Sequence, residues 1–433
     1  MLKKIEKIKK NRLIKNFIVL LTGEGISSVL SMLAVILIVK AIGLDGNGKI
    51  LSIQTYCLLL TSIFGFKSFQ ALIKYLSKEI ESEDFNKVKS YIKQSYFLDI
   101  IAAVITTIVS FIFVGIYSRF MKWDSELLKY SYIFIVATIF QIQGTPIGIL
   151  RIFDKFNYIT YNNVITAILR VILYLIGILL GYKLSYFMYV EVFLYILPNI
   201  ILNYLSYKAL KENNLEDFYK VEFKLDKHFF KFNFYSNIAS TIDIPVGHLT
   251  AIMINKYLGY SDMAIYKIFE KIGSLIGKVG SPISQIIYPE LTEKISKKQY
   301  KSAKKMSDKL MYYIGGAGVL LTIIAYLTHK AWLWIFIEDY TRYIYPLVIY
   351  LLFTVFINCT VGVHSLFLAL NYIKYTVPIL IGVNMVYLVI MYLLISQMGL
   401  SGVIIALFLQ AIAIIIIKIL IMKKNSYMER CDN

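Results

Sequence analysis

The sequence predicts an all-α integral membrane protein of about 12 transmembrane helices, and three observations carry that prediction. Of 433 residues, 58% are hydrophobic and only 17% charged, with a mean hydropathy of +0.65; soluble domains are roughly 45–50% apolar and about 25% charged. The apolar residues come in blocks of about 20 or more, enough to cross ~30 Å of hydrocarbon at about 1.5 Å per residue. The alternating strands of roughly 10 residues that build an outer-membrane barrel are absent.

The first span, 14–40, follows a basic start of Lys3, Lys4, Lys7, Lys9, Lys10 and Arg12. That start resembles a signal-peptide n-region. The run is long, however, is interrupted by Thr22-Gly23-Glu24-Gly25 and has no A-x-A site nearby, so it reads as a retained span. The second span, 48–72, contains Lys67, the third, 92–116, Asp99, and the fourth, 128–150, Pro146. The fifth, 158–181, holds Arg170, and the sixth, 185–207, holds Glu191 and Pro198. The seventh, 232–257, has Asp243, Pro245 and His248; the eighth, 263–289, has Lys267, Glu270, Lys271, Lys278 and Pro282. The last four run 308–335, 343–370 with His364, 375–397 with Pro378, and 401–422. Prolines within spans read as static kinks, with Pro245 beside Asp243 the one that marks a moving segment. His248 and His364 read as packing residues rather than proton sites.

The formal net charge is +19, and the lysines cluster at 3–15, 74–93, 208–231, 294–309 and 423–430, between or beside the apolar blocks. With the N-terminus inside, about 32 Lys/Arg fall on the cytoplasmic side and about 9 outside, the asymmetry of the positive-inside rule. Both termini are then cytoplasmic, and the basic rim faces anionic headgroups, not nucleic acid. Cys57, Cys359 and Cys431 are far apart and form neither a disulfide framework nor a zinc site. No HExxH, GxSxG, Walker or DxD motif is present, so nothing points to an enzyme, a metal centre or a cofactor.

The halves look related. Lys40–Gly48 recurs as Lys256–Ala264, 216 positions later, and Leu150–Tyr158 pairs with Phe367–Tyr375 at nearly the same offset. With six spans per half the copies share one orientation, a parallel repeat. The expected domains are a six-helix lobe over 1–207, a central cytoplasmic linker over 208–231 and a second lobe over 232–433.

An ionisable residue within a span is costly and faces protein or water. On the eighth span Lys267, Lys271, Ser274, Lys278 and Ser281 share one stripe at 100° per residue. Lys267 can pair with Glu270 at i,i+3 and Lys278 can snorkel, but Lys271 near mid-span has no obvious local partner. Weaker stripes hold Glu24 on the first span, Asp99 on the third, Arg170 on the fifth and Asp243 on the seventh. One stripe is ordinarily helix–helix glue; stripes in both halves indicate a shared aqueous cavity, cationic with scattered acids.

Lys40–Gly48, Phe64-Gly65-Phe66 and Lys74-Tyr75-Leu76 resemble the amino-terminal signature of the polysaccharide transport family. So does the run from Asp243 through Ile254–Gly259 and Tyr266-Lys267 to Tyr288–Leu291. That family belongs to the multidrug/oligosaccharidyl-lipid/polysaccharide (MOP) exporter superfamily, and the chain is most similar to its O-antigen repeat-unit flippase (Wzx) branch. The resemblance implies two pseudo-symmetric six-helix lobes around a central cationic cavity that opens alternately to each side of a bacterial inner membrane. It implies an undecaprenyl-diphosphate-linked oligosaccharide as cargo, membrane lipids as surroundings and other polysaccharide assembly proteins as partners. Lys67, Arg170, Lys267, Lys271 and Lys278 match the family's cationic lumen, although the family often has an apolar residue where Lys67 stands. Lysine and arginine would replace the water around a diphosphate. Glu24, Asp99 and Asp243 are the candidates for coupling to a proton or sodium ion (H+ or Na+), with salt-bridging to the lysines as the equal alternative. Drug export, flipping of the peptidoglycan precursor, and a membrane polymerase or glycosyltransferase of the same pathway are the alternatives.

Overall fold

The structure, a computed structural model, describes residues 2–65, 68–241, 244–337 and 339–424, with side chains at all of these except 2–21, 236, 238–241, 244–245 and 276–286. Among the described residues every regular element is a helix. The chain forms two compact units, residues 1–248 and 249–433.

The first unit holds α1 (Leu2–Phe64), α2 (Phe69–Glu81), α3 (Phe85–Met121), α4 (Ser125–Ala137), α5 (Gly144–Ile152), α6 (Phe156–Leu179), α7 (Leu184–Glu212) and α8 (Lys227–Thr241). The chain continues into α9 (Ile244–Leu258). The second unit then holds α10 (Tyr260–Ser296), α11 (Tyr300–Trp332), α12 (Ile344–Cys359), α13 (Val361–Ala369) and α14 (Thr376–Lys424). Eight described segments are long and apolar enough to cross a membrane. Two of them, Thr22–Phe64 with 43 residues and Ile373–Lys424 with 52, far exceed the ~20 residues of one crossing. Each is divided by a non-helical glycine, Gly43 and Gly399. The expected seventh and eighth spans coincide with α8 to α10, whose side chains are described only in part.

These helices are packed inside out relative to a water-soluble fold. On α3, Ser95, Asp99, Ala102, Thr106 and Ser110 are buried while Ile101, Ile105, Ile108, Ile112 and Ile116 are exposed. Large apolar side chains face outward because the surrounding solvent is lipid, and small and hydroxyl residues let the helices approach closely. Asp84 caps α3 through the Lys87 N–H at 3.1 Å, and Asp124 caps α4 through the Leu127 N–H at 2.7 Å.

The two units repeat one another's turns. Left-handed φ recurs at Gly43 (72°) and Gly259 (96°), Glu83 (57°) and Lys298 (58°), Asp154 (55°) and Asn371 (63°), and Gly181 (68°) and Gly399 (56°). The partners lie 216, 215, 217 and 218 positions apart. The two other left-handed residues of the first unit, Lys122 and Asn214, correspond to positions outside the described residues. Helices α5 and α13 have nine residues each and start 217 positions apart. Both short sequence repeats therefore mark turns that the chain builds twice.

The linker region is not a loose connection. Leu215 and Phe229 are buried with Leu72, Leu76, Ile92 and Leu210 in one apolar cluster. Asp217 pairs with Lys89 at 2.6 Å, the Lys93 ammonium donates to the Tyr219 and Val221 carbonyls, and Tyr91 donates to Asp226 at 2.9 Å. Residues 208–231 and α8 thus belong to the first unit, clamped on the amino-terminal end of α3.

Candidate functional site

Two spans of the first unit are interrupted, and both interruptions face the same acid. Helix α1 ends at Phe64 and α2 begins at Phe69, and the α4–α5 path breaks through a short 3-10 turn, Thr138–Phe140, before resuming at Gly144. The fourth span was expected to run unbroken with a kink at Pro146; Pro146 instead sits in the first turn of α5, where its missing N–H costs nothing. Asp99, 3% exposed on α3, lies between the two restarted helices. The Ser68 hydroxyl, at the start of α2, donates to Oδ1 at 2.5 Å, and the Thr145 N–H, in the first turn of α5, donates to Oδ2 at 2.7 Å. Ser95 and Thr145 hydroxyls meet at 2.7 Å and hold that turn against α3. Gly144 permits the approach, since a Cβ there would stand 2.6 Å from the Ser68 nitrogen and 3.1 Å from each Asp99 oxygen. A cavity of about 360 Å³ opens beside the carboxylate, lined by Phe69, Thr106, Thr138, Gln141 and Gln143 among others.

Arg170, expected among the cations of the cavity, is ion-paired. Its Nε lies 3.0 Å from Glu191 Oε1, Tyr174 donates to the same oxygen at 2.6 Å, and Gln54 donates to Oε2 at 2.6 Å. The Arg170 charge is therefore balanced within the first unit. In the second unit Lys267 pairs with Glu270 at 2.7 Å, one turn away on α10. Lys271 is half-buried on the same helix, and Ser274 donates to its carbonyl. Glu24 is exposed, with Ser28 donating to its carbonyl at 2.6 Å. Lys67, Asp243 and the Lys278 side chain lie outside the described residues. Among the described residues no group of three or more His, Cys, Asp or Glu is placed to hold a metal ion.

Residues 13–295 match the model of the family described as polysaccharide biosynthesis protein. The chain belongs to that family. It is also similar to the inner membrane protein YghQ of Escherichia coli (strain K12), 17% identical over 283 residues that cover 64% of this chain and 80% of that protein. Its fold is that of solved transporters. An inward-facing multidrug resistance MATE transporter of the MOP superfamily superposes with a TM-score of 0.72 at 13% identity, covering 93% of this chain and 96% of the other. A MATE in the bent conformation gives 0.66 at 14% identity, over 98% and 97%. The chain is thus a multi-pass membrane protein of the polysaccharide biosynthesis family with the fold of these transporters.

Sequence reasoning passed over two pairings in this chain. Glu191 was visible as an in-span acid, and the available signal was an opposite charge, Arg170, on the preceding span. Lys418, 5% exposed in the last span, has its ammonium 2.8 Å from His364 Nδ1. A lysine near the end of a long apolar run reads as interfacial, so nothing in the sequence pointed to it.

Proposed function

We propose that this chain is a flippase that carries undecaprenyl-diphosphate-linked oligosaccharide repeat units from the cytoplasmic to the outer leaflet of a bacterial inner membrane. In this reading two six-span lobes, joined through 208–231 and with both termini cytoplasmic, alternate in access to a cationic path. Lys67, Lys267, Lys271 and Lys278 accompany the diphosphate, and Arg170 takes part by exchanging Glu191 for phosphate. Glu24, Asp99 and Asp243 carry the coupling proton or sodium ion, and O-antigen or lipopolysaccharide assembly consumes the product. One observation carries the reading: a polysaccharide-biosynthesis family match over residues 13–295 on a transporter fold. A charged headgroup cannot cross hydrocarbon unaided, so a pathway that builds lipid-linked sugars on one face and uses them on the other requires such a carrier.

Deletion of the gene followed by lipid analysis tests it, with complementation by the intact protein and by Lys271→Ala. The expected result is accumulation of complete, unpolymerised lipid-linked units on the cytoplasmic face, reversed by the intact protein and poorly by the variant. Accumulation on the outer face would indicate a polymerase, and unchanged lipid-linked sugars would contradict the flippase reading.

A further inference from the structure

The cavity beside Asp99 has the size and lining of a ligand site rather than an ion site. Its volume of about 360 Å³ falls in the ~300–1,000 Å³ range of small-molecule pockets, where a single water occupies about 30 Å³. Its electrostatics point the same way. Asp99 receives the Thr145 N–H from the first turn of α5 and the hydroxyl of Ser68 at the start of α2, and these donors, with the positive ends of the two helices, stabilise its charge. A bare sodium ion would meet an acid already compensated. A neutral group that donates O–H to the remaining lone pairs would meet no such opposition.

The other walls supply hydrogen-bonding groups and an aromatic ring. The side-chain amides of Gln141, half-buried, and Gln143, exposed, line the cavity. Thr106, 2% exposed and also in the lining, has a hydroxyl without a partner there. An unsatisfied buried hydroxyl such as that of Thr106 is costly unless something fills the space beside it. Phe69 contributes its ring, and the Arg151 guanidinium lies 4.9 Å from that ring's centroid. A carboxylate, two amides and an aromatic ring around one small cavity suit a neutral, hydroxyl-rich ring with an apolar face.

We propose that this cavity binds one sugar ring of the transported headgroup: Asp99 accepts its hydroxyls, Gln141 and Gln143 complete the hydrogen bonds, and Phe69 lies against the apolar face of the ring. The proposal rests on the flippase reading and names a recognition site within the first unit for it. On this assignment Asp99 serves the cargo, and the coupling ion falls to Glu24 or Asp243.

The test is saturation-transfer-difference NMR on the full-length protein in nanodiscs, with glucose, galactose, mannose and N-acetylglucosamine as probes and sodium chloride as the competing ion. The expected result is transfer to at least one of these sugars. Gln141→Ala combined with Gln143→Ala should weaken it about tenfold, the usual worth of two neutral hydrogen bonds, while Tyr312→Ala, on an exposed helix face, leaves it intact. Phe69→Leu serves as a second variant, and an unchanged melting temperature in each confirms folding. The proposal is overturned if none of the four sugars binds, if binding survives both cavity variants, or if sodium alone shows dependence on the two glutamines. The flippase reading fails separately, when deletion leaves lipid-linked sugars unchanged.

Discussion

Arg170 on α6 and Glu191 on α7 form an ion pair within the first unit, Nε to Oε1 3.0 Å, and the Glu191 side chain is only 7% exposed. Tyr174 and Gln54 occupy further acceptor positions on that carboxylate. Breaking such a pair from one side leaves an uncompensated charge, at about 3–5 kcal/mol when fully buried. Arg170 keeps a 27% exposed side chain, so Arg170→Met and Glu191→Gln should each destabilise toward the lower end of that range. The double variant should lose clearly less than the two single losses added together. Thermal unfolding in detergent measures all three, and strict additivity would contradict the pairing.

The Asp99 centre makes a second set of expectations. Gly144→Ala places a Cβ 2.6 Å from the Ser68 nitrogen, an overpacking worth about 1–3 kcal/mol. Ser68→Ala removes one donor from a buried carboxylate, at about 1–3 kcal/mol, whereas Ser68→Thr keeps the hydroxyl and should lose less. Melting temperatures of the three variants decide this, and Ser68→Ala equal to the unaltered protein would remove Ser68 from the site.

The clamp on the linker should open in acid. The Lys89 ammonium beside Asp217 holds its carboxyl below the ordinary aspartate range. At Asp226 burial pushes the carboxyl up, but the Phe229 N–H, the Tyr91 hydroxyl and the His228 N–H together hold it below that range. Acids with depressed folded values stabilise the docked state above their unfolded pKa, about 3.9. They lose that contribution as pH falls through the folded value. Hydrogen exchange over 213–226 should therefore stay slow at neutral and mildly acidic pH and rise only below about pH 4. Protection lost between pH 6 and 7 would contradict the assignment.

Much of this was legible in the residues. The apolar blocks exposed the spans because length and hydropathy alone decide membrane crossing, and the Lys40 and Lys256 repeats mark backbone turns that recur at Gly43 and Gly259. The Lys267–Glu270 pair was readable because i,i+3 spacing fixes proximity on one helix. The end of α1 at Phe64 and the break over 138–143 were not readable, because hydropathy is blind to a local change of backbone within an apolar run. Nor was the convergence of Ser68, Asp99 and Thr145, which depends on three helices meeting far apart in sequence.

The repeated turns carry their own prediction. Gly43, at φ 72° and ψ 175°, and Gly259, at φ 96° and ψ 179°, both occupy a region reserved for glycine, where another residue costs about 1–3 kcal/mol. Gly43→Ala and Gly259→Ala should destabilise by similar amounts. Asp154→Gly and Asn371→Gly, at the matched positions with φ of 55° and 63°, should be close to neutral. A large loss at only one of the two glycines, read from thermal unfolding, would contradict equivalent roles.

The most direct measurement is transbilayer movement itself. The purified protein is reconstituted in vesicles that carry undecaprenyl-diphosphate-linked oligosaccharide in both leaflets, and an impermeant enzyme trims the exposed sugars. With the protein present nearly all of the lipid-linked sugar should become accessible, against about half in empty vesicles, and Lys271→Ala should slow the second half. Accessibility that stays at half with the folded protein present would contradict the flippase account.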